Sequence, residues 1–175
     1  MLSCSKSSSD NSSSSDDSST DSNNQSQCTT VRTFQKNISG RQAKQTNDCG
    51  YILASSGGYL KKLDDFGETK WETKITLKQA KNSAIGKPSV IQTRDGGYLY
   101  SDNDGIAKLS STGEIEWTNK NYRDFEDAIE HSNGYFYLVS DDLVAHGAKA
   151  KVYKINSKGK KFGEDHLEGD VQGKN

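Results

Sequence analysis

The stretch KLSSTGEIEW, residues 108–117, occurs three times in this chain in related forms. It reads KLDDFGETKW over residues 62–71 and KINSKGKKFG over residues 154–163. Each copy begins with a lysine, and the lysines are 46 residues apart (108 − 62 and 154 − 108). A fixed period of this length is the signature of a repeat protein. The chain is therefore expected to contain at least three copies of one structural unit.

Each copy reads as a unit of four short strands. The first two strands are joined by an Asp-Gly or Asn-Gly type turn, which favours a hairpin because these residues tolerate a positive φ. The second strand is expected to begin at a tyrosine, at Tyr51, Tyr98 and Tyr135 in the three repeats. The third turn, at Asn133, is expected to be one residue shorter than the second, at Asp95. A turn ending in glycine then leads to a fourth strand with an aromatic residue.

Repeated four-stranded units of roughly 40–50 residues are the building blocks of β-propellers. The segment 109–117 resembles the tryptophan-docking repeat of quinoprotein-like (PQQ-like) propellers, and the turn at residues 95–98 resembles repeats of secreted and lipid-anchored Bacteroidetes propellers. The resemblance covers about residues 40–163. It implies that the aromatic residue of each unit is structural and packs against the neighbouring blade. The implied docking residues are Trp71, Trp117 and Phe162 with Gly67, Gly113 and Gly159.

The sequence thus predicts an all-β fold, a partial or open β-propeller of about three four-stranded antiparallel blades preceded by a disordered N-terminal tail. Three blades do not close a ring, because propellers typically have four to eight. The chain is expected to be a fragment of a longer propeller, an open arc, or a subunit that completes its ring by self-association. The expected boundaries are a tail at 1–28, a repeat domain at 29–169 with repeats at about 41–77, 88–121 and 126–165, and a frayed end at 170–175.

The N-terminus has a composition of its own. Residues 5–27 are almost entirely Ser, Asp, Asn and Gln, which cannot bury enough apolar surface to offset the entropy of ordering. The preceding Leu2-Ser3-Cys4 resembles the end of a bacterial lipobox, which implies lipidation of Cys4 and an outer-membrane lipoprotein on a flexible tether. A signal segment needs more than the three residues before Cys4, so the start is expected to be assigned late or trimmed. The alternative is a cytoplasmic protein with a Ser-rich tail.

Other features of the sequence narrow the function classes. The net charge of −1 gives no basic footprint for nucleic acid. The three histidines, at 131, 146 and 166, lack metal-ligand spacing, and Asp102–Gly105 reads as a hairpin turn rather than a calcium loop. We therefore expect no catalytic residues, no metal and no cofactor. The sequence leaves open whether Cys28 and Cys49 form a disulfide.

Together these features favour a lipid-anchored, cell-envelope binding or scaffold protein without catalytic activity. Its expected partners are the membrane, an unidentified protein or glycan ligand, and other copies of itself through open blade edges. The alternative is a fragment of a quinoprotein-like or hydrolytic propeller enzyme. Fold resemblance alone does not decide between these functions.

Trp117→Ala tests the docking role that the repeat implies. Removing a buried aromatic side chain leaves a cavity, and we expect a loss of ~3 kcal/mol or more in the free energy of unfolding. Thermal or denaturant unfolding of the variant and the wild type measures it. A melting temperature unchanged by the substitution would count against docking.

Overall fold

The structure, a computed structural model, describes residues 28, 35–55, 57–77, 88–121, 125–142 and 149–166, without the side chains of 141–142, 149–150 and 162–166. The regular secondary structure of these residues is entirely β-strand. The strands form three antiparallel sheets of four strands, each paired in sequence order. We call the sheets blade 1, blade 2 and blade 3. The predicted all-β fold, a partial and open β-propeller of three blades, is confirmed.

Each blade is a meander of four consecutive strands. Blade 1 contains β1 (Gln42–Gln45), β2 (Tyr51–Ser55), β3 (Tyr59–Leu63) and β4 (Thr69–Lys74). Blade 2 contains β5 (Ser89–Gln92), β6 (Tyr98–Asp102), β7 (Gly105–Leu109) and β8 (Ile115–Asn119). Blade 3 contains β9 (Phe125–Glu130), β10 (Phe136–Asp142), β11 (Lys149–Ile155) and β12 (Lys161–His166).

The hydrophobic core lies between the blades rather than within them. Alternate residues of each middle strand point to opposite faces of the sheet, so blade 2 packs one face on blade 1 and the other on blade 3. The core between blades 1 and 2 includes Ile52, Ala54 and Leu60 packed with Tyr98, Tyr100 and Leu109. The core between blades 2 and 3 includes Leu99 and Ile106 packed with Phe125, Phe136, Leu138 and Ile155.

The outer strand of every blade carries the same irregularity. The pairing of the third and fourth strands shifts register at Lys62/Leu63, Lys108/Leu109 and Lys154/Ile155. One extra residue in the fourth strand stands at each shift, which is the two-against-one pattern of a β-bulge. Bulges twist an edge strand, and a twisted edge is a poor template for pairing with another chain.

The first hairpin of blade 3 differs from the sequence-based expectation. The His131 amide donates to the Tyr135 carbonyl at 2.9 Å, as the Thr93 amide donates to the Gly97 carbonyl at 2.9 Å. The two turns therefore have the same length, and β10 begins at Phe136. The predictions of a shorter third turn and of a second strand starting at Tyr135 were wrong, because Tyr135 occupies the place that Gly97 has in blade 2.

A disulfide joins the N-terminal segment to blade 1. It links Cys28 and Cys49, with a Cα–Cα distance of 5.4 Å. The Ser55 hydroxyl donates to the Ser39 carbonyl at 2.6 Å, and an added Cβ on Gly40 would lie 3.4 Å from the Leu53 side chain. Part of the segment before β1 thus lies against the face of blade 1 that points away from blade 2. Cys4 and the Ser-rich tail lie outside the described residues.

Candidate functional site

Blade 1 is docked on blade 2 through the indole of Trp71. The Trp71 Nε1–H donates to the Ser111 carbonyl at 3.3 Å. A Cβ added to Gly113 would lie 2.7 Å from ring atoms of Trp71, so the ring lies directly against the backbone of this glycine. Gly113 has a φ of 86°, which L residues with a side chain rarely adopt. Glycine is needed here both for the turn and for the contact.

The same contact joins blade 2 to blade 3. The Trp117 Nε1–H donates to the Ser157 carbonyl at 2.9 Å, and a Cβ on Gly159 would lie 2.7 Å from the ring. The residue two positions after each tryptophan adds a bond to the glycine carbonyl. Thr73 Oγ1 donates to the Gly113 oxygen at 2.7 Å, and Asn119 Nδ2 donates to the Gly159 oxygen at 2.9 Å. Both indoles are half-buried. A loss of ~3 kcal/mol in the free energy of unfolding is therefore the upper end of what we expect for Trp117→Ala.

The register of blade 3 corrects the assignment of Phe162 as a docking residue. Lys62 and Lys108 pair with Trp71 and Trp117, whereas Lys154 pairs with Gly163. Gly163 therefore stands at the indole position, and Phe162 is the extra residue of the bulge. The side chain of Phe162 lies outside the described residues. Gly67, with a φ of 78°, closes the turn between β3 and β4 in blade 1, at the position that Gly113 has in blade 2.

Two of the repeated lysines are buried and paired. The Lys62 side chain is 4% exposed, and its ammonium group donates to Asp48 Oδ1 and to the Leu63 carbonyl, both at 2.8 Å. The Lys108 side chain is 3% exposed, and Nζ lies 2.9 Å from Asp95 Oδ2 and 3.4 Å from Glu116 Oε2. Each lysine thus ties the first turn of its blade to the third strand. This pairing was not among the expectations from the sequence.

A glycine makes room for each buried ammonium group. A Cβ on Gly50 would lie 2.5 Å from Lys62 Nζ, and one on Gly97 would lie 2.5 Å from Lys108 Nζ. Blade 3 has Tyr135 at this position, and Lys154 Nζ instead lies 4.5 Å from the centroid of the Tyr135 ring. An Asp-x-Gly turn followed 13 or 14 residues later by Lys-Leu is the sequence signal of the pair (108 − 95 and 62 − 48).

The pKa of Asp48 reflects this environment. Burial by itself would raise the pKa, but hydrogen bonds from Lys62 and Thr46 and the ammonium charge outweigh burial and lower the pKa to about 2. The pKa of Asp95 is lowered for the same reasons, with Lys108 and Thr93 as the donors. Both carboxylates therefore stay ionised well into the acid range.

A cleft of about 580 Å³ lies between blades 1 and 2, next to the Trp71 contact. Its wall combines the aromatic rings of Trp71 and Tyr98 with polar and charged side chains, which include Asn47, Asp48, Lys62, Lys70, Gln92 and Thr112. Burial and the Asp48 charge raise the pKa of the Tyr98 hydroxyl to about 12, so it remains a hydrogen-bond donor at neutral pH. Clefts with aromatic walls and a few polar groups are typical of binding sites.

The junction between blades 1 and 2, which holds the cleft, differs in charge from the junction between blades 2 and 3. Lys70 Nζ lies 3.8 Å from Asp48 Oδ2 in blade 1, whereas the corresponding residue of blade 2 is Glu116. The turn contacts are shared, since Gln92 Oε1 accepts from the Asn47 amide at 2.8 Å and Glu130 Oε2 accepts from the Arg94 amide at 2.7 Å. The first junction thus has an additional cation where the second has an anion.

The remaining candidates from the sequence have structural roles or lie outside the described residues. Asp102 accepts bonds from the Tyr100 hydroxyl at 3.0 Å and the Asp104 amide at 2.8 Å, which builds the β6–β7 turn. Within the described part of the chain, no group of three or more His, Cys, Asp or Glu side chains could hold a metal ion. His146 and the side chain of His166 are not described. Among the described residues, no helix is long and apolar enough to cross a membrane.

Gly113→Ala and Gly134→Ala separate docking from backbone strain. Both glycines have left-handed φ values, 86° and 79°, but only the Gly113 Cβ would collide with an indole, and the Gly134 Cβ meets nothing within 4 Å. We expect Gly134→Ala to cost ~1 kcal/mol from strain alone, and Gly113→Ala to cost ~1–3 kcal/mol more. Denaturant unfolding of both variants measures the difference. Equal losses would contradict the docking contact.

Asp48→Asn tests the buried pair through its pH dependence. The folded-state pKa of about 2 lies below the ordinary value of 3.8, so the ionised carboxylate stabilises the fold above about pH 4, and this contribution is lost as the pH falls through 2. We expect the melting temperature of the variant to fall less than that of the wild type between pH 4 and pH 2. Glu114→Gln, an exposed side chain in the β7–β8 turn, is the control and should follow the wild type.

Comparisons with known proteins add the following. No protein-family model matches the chain, and no curated protein matches it. A protein of unknown function from Bacteroides caccae is similar in structure, with 17% identity, a TM-score of 0.48, and coverage of 65% of this chain and 39% of that one. BamB from Moraxella catarrhalis is similar with 13% identity, a TM-score of 0.47, and coverage of 67% and 33%. This chain thus spans a third to two fifths of these proteins, and the assignment of its fold rests on its own three sheets.

Proposed function

We propose that this chain is a propeller-like binding or scaffold module of the cell envelope, without catalytic activity, held at the membrane by a lipid on Cys4. In this proposal the tether of residues 5–27 separates the blades from the membrane surface. The blades present their turns and clefts to a partner. The disulfide between Cys28 and Cys49 is the observation that carries the location.

The position of Cys49 makes this disulfide informative. Cys49 has a φ of 63°, and the same turn position in blades 2 and 3 is occupied by Gly96 and Gly134, at 81° and 79°. A residue with a Cβ costs roughly 1–2 kcal/mol in this conformation. A cysteine at a glycine position is therefore best explained by the bond it forms. Such bonds persist in oxidising compartments and are rare in the cytosol.

The cleft between blades 1 and 2 supports the binding role. It combines the half-buried Trp71 with Lys70, Asn47 and Gln92 at one opening of about 580 Å³. Aromatic rings with amide and charged groups suit either a saccharide or a short peptide segment. The partner is thus proposed as a glycan or a protein.

Thiol trapping in cells tests the location. Cells that produce the chain are treated with a membrane-permeant alkylating reagent before lysis, and the modified cysteines are identified by mass spectrometry. In an envelope protein Cys28 and Cys49 are protected by their bond, and Cys4 carries a lipid. Alkylation of both Cys28 and Cys49 would instead indicate a reducing, cytoplasmic location.

Labelling with a palmitate analogue tests the anchor separately. The wild-type chain should be labelled and should fractionate with membranes, and Cys4→Ala should lose both properties. Cys28→Ala is the matched control and should keep the label, because it removes a cysteine without touching the acylation site. Labelling that persists in Cys4→Ala would refute the anchor.

A further inference from the structure

The cleft between blades 1 and 2 contains a buried hydroxyl group that has no partner. Tyr98 is 2% exposed, and its hydroxyl group makes no hydrogen bond to any described residue. Tyr100 on the same strand instead donates to Asp102 at 3.0 Å. A buried hydroxyl group without a partner costs free energy. Because Tyr98 lines the cleft, its hydroxyl group is placed to donate to a ligand there.

The junction between blades 2 and 3 uses the same repeat positions without this hydroxyl group. Strand pairing places Phe136 in blade 3 where Tyr98 stands in blade 2, and Phe136 is equally buried. Blade docking therefore needs the aromatic ring but not the hydroxyl group. Lys70 is likewise absent from the second junction, since the residue before Trp117 is Glu116. The first junction thus has two polar groups that docking does not explain.

Two further hydrogen-bond donors line the same cleft. Gln92 Oε1 accepts from the Asn47 amide at 2.8 Å, which leaves the Nε2 end of the Gln92 side chain to donate elsewhere. The side chain of Lys70 is 53% exposed, and its Nζ lies 3.8 Å from Asp48 Oδ2, beyond hydrogen-bond distance. The cleft therefore offers a hydroxyl, an amide and an ammonium donor to a ligand that is rich in oxygen acceptors.

The charge of the cleft favours an anionic ligand. Among the residues that line it, Lys62 and Lys70 are cationic and Asp48 is anionic, which leaves one net positive charge. Asp48 Oδ1 already accepts from the Lys62 ammonium group at 2.8 Å and from the Thr46 hydroxyl. Lys70 is therefore the cation without a close counter-charge, and one carboxylate on the ligand would supply it.

The backbone around the cleft favours a sugar over a peptide strand. A peptide that adds a strand to a sheet needs free backbone N–H and C=O groups. The amides of Asn47, Gly96 and Gly113 in the surrounding turns are already bonded. Recognition therefore falls to side-chain donors, to the ionised Asp48 as an acceptor and to the exposed part of the Trp71 indole. This combination suits the hydroxyl and CH groups of a sugar ring.

We propose that the cleft between blades 1 and 2 binds an acidic saccharide, through a sugar residue that carries a carboxylate group. The carboxylate lies against Lys70 Nζ and the Gln92 amide, and the Tyr98 hydroxyl donates to a sugar oxygen. The Trp71 indole contacts the CH groups of the sugar ring. This inference rests on the binding role proposed above and names its ligand. It does not depend on a lipid at Cys4, which the palmitate labelling tests separately.

Calorimetric titration of the full chain tests the ligand class. The probes are trisaccharides of galacturonic, glucuronic and mannuronic acid. We expect saturable binding of at least one of them, and its methyl ester should bind about ten-fold less tightly at low ionic strength, because the ammonium group loses a charged acceptor. A glutamate tripeptide with blocked ends has the same charge and should bind less tightly. Binding of none of the three acids, equal affinity for acid and ester, or tighter binding of the peptide would overturn the proposal.

Two substitutions that copy the second junction test the assigned donors. We expect Tyr98→Phe to weaken binding about 2–10-fold, through one lost hydrogen bond, and Lys70→Glu to weaken it more, because the charge is reversed. Tyr59→Phe and Lys160→Glu are the matched controls, since they make the same changes at exposed positions outside the cleft and should bind like the wild type. Unchanged affinity in both cleft variants would contradict the assignment.

The melting temperature of Tyr98→Phe tests whether its hydroxyl group is unpaired. Removal of a buried hydroxyl group that has no partner should leave the melting temperature of the ligand-free chain unchanged or raise it. A clear fall would show that the hydroxyl group stabilises the fold, and it would overturn the role assigned to Tyr98.

The two indole N–H groups locate the ligand. The chain has two tryptophans, and the Trp71 N–H lies at the first junction whereas the Trp117 N–H lies at the second. In ¹H–¹⁵N spectra, assigned with Trp117→Phe, we expect the acidic trisaccharide to shift the Trp71 signal and not the Trp117 signal. A Trp71 shift with the peptide alone would overturn the saccharide but keep the binding role. No shift with either probe would overturn the cleft as a binding site.

Discussion

The arrangement of the blades depends on an indole ring that lies against a turn glycine of the next blade. The ring approaches so closely that any side chain on Gly113 or Gly159 would collide with it. The indole N–H donates to the carbonyl two residues before the glycine, which fixes the position of the ring on the turn. One aromatic residue and one glycine per repeat thus set the spacing between sheets, and the apolar faces pack within that spacing.

A second constraint acts within each blade. The buried ammonium groups of Lys62 and Lys108 would destabilise the fold if they were unpaired, because transfer of a charge out of water is costly. Asp48 and Asp95 supply the counter-charge, and Gly50 and Gly97 leave the space that the ammonium groups occupy. The pair therefore requires three residues, one from the third strand and two from the turn between the first two strands. Blade 3 has a tyrosine at the glycine position and meets the constraint with an aromatic ring instead.

Blade 3 departs from the repeat at two positions. Its first turn has Tyr135, and its outer strand has Gly163 at the indole position. Blade 1 departs in another way, since Cys49 replaces a turn glycine and bonds to Cys28. The two outer blades thus differ from the middle one at a position of the first turn, and blade 3 differs at the indole position as well.

The sequence by itself determined the period, the four-stranded unit and the identity of Trp71 and Trp117, because these follow from spacing along the chain and from turn residues. It could not determine the partners of Lys62 and Lys108, because ion pairs between a turn and a distant strand depend on register. It placed Phe162 one residue from the indole position and misaligned the turn at Tyr135, because a bulge and a glycine-to-tyrosine exchange leave the local pattern almost unchanged. The pairing of Cys28 with Cys49 and the cleft between blades 1 and 2 were decided only by the tertiary structure, since each depends on which segments face each other.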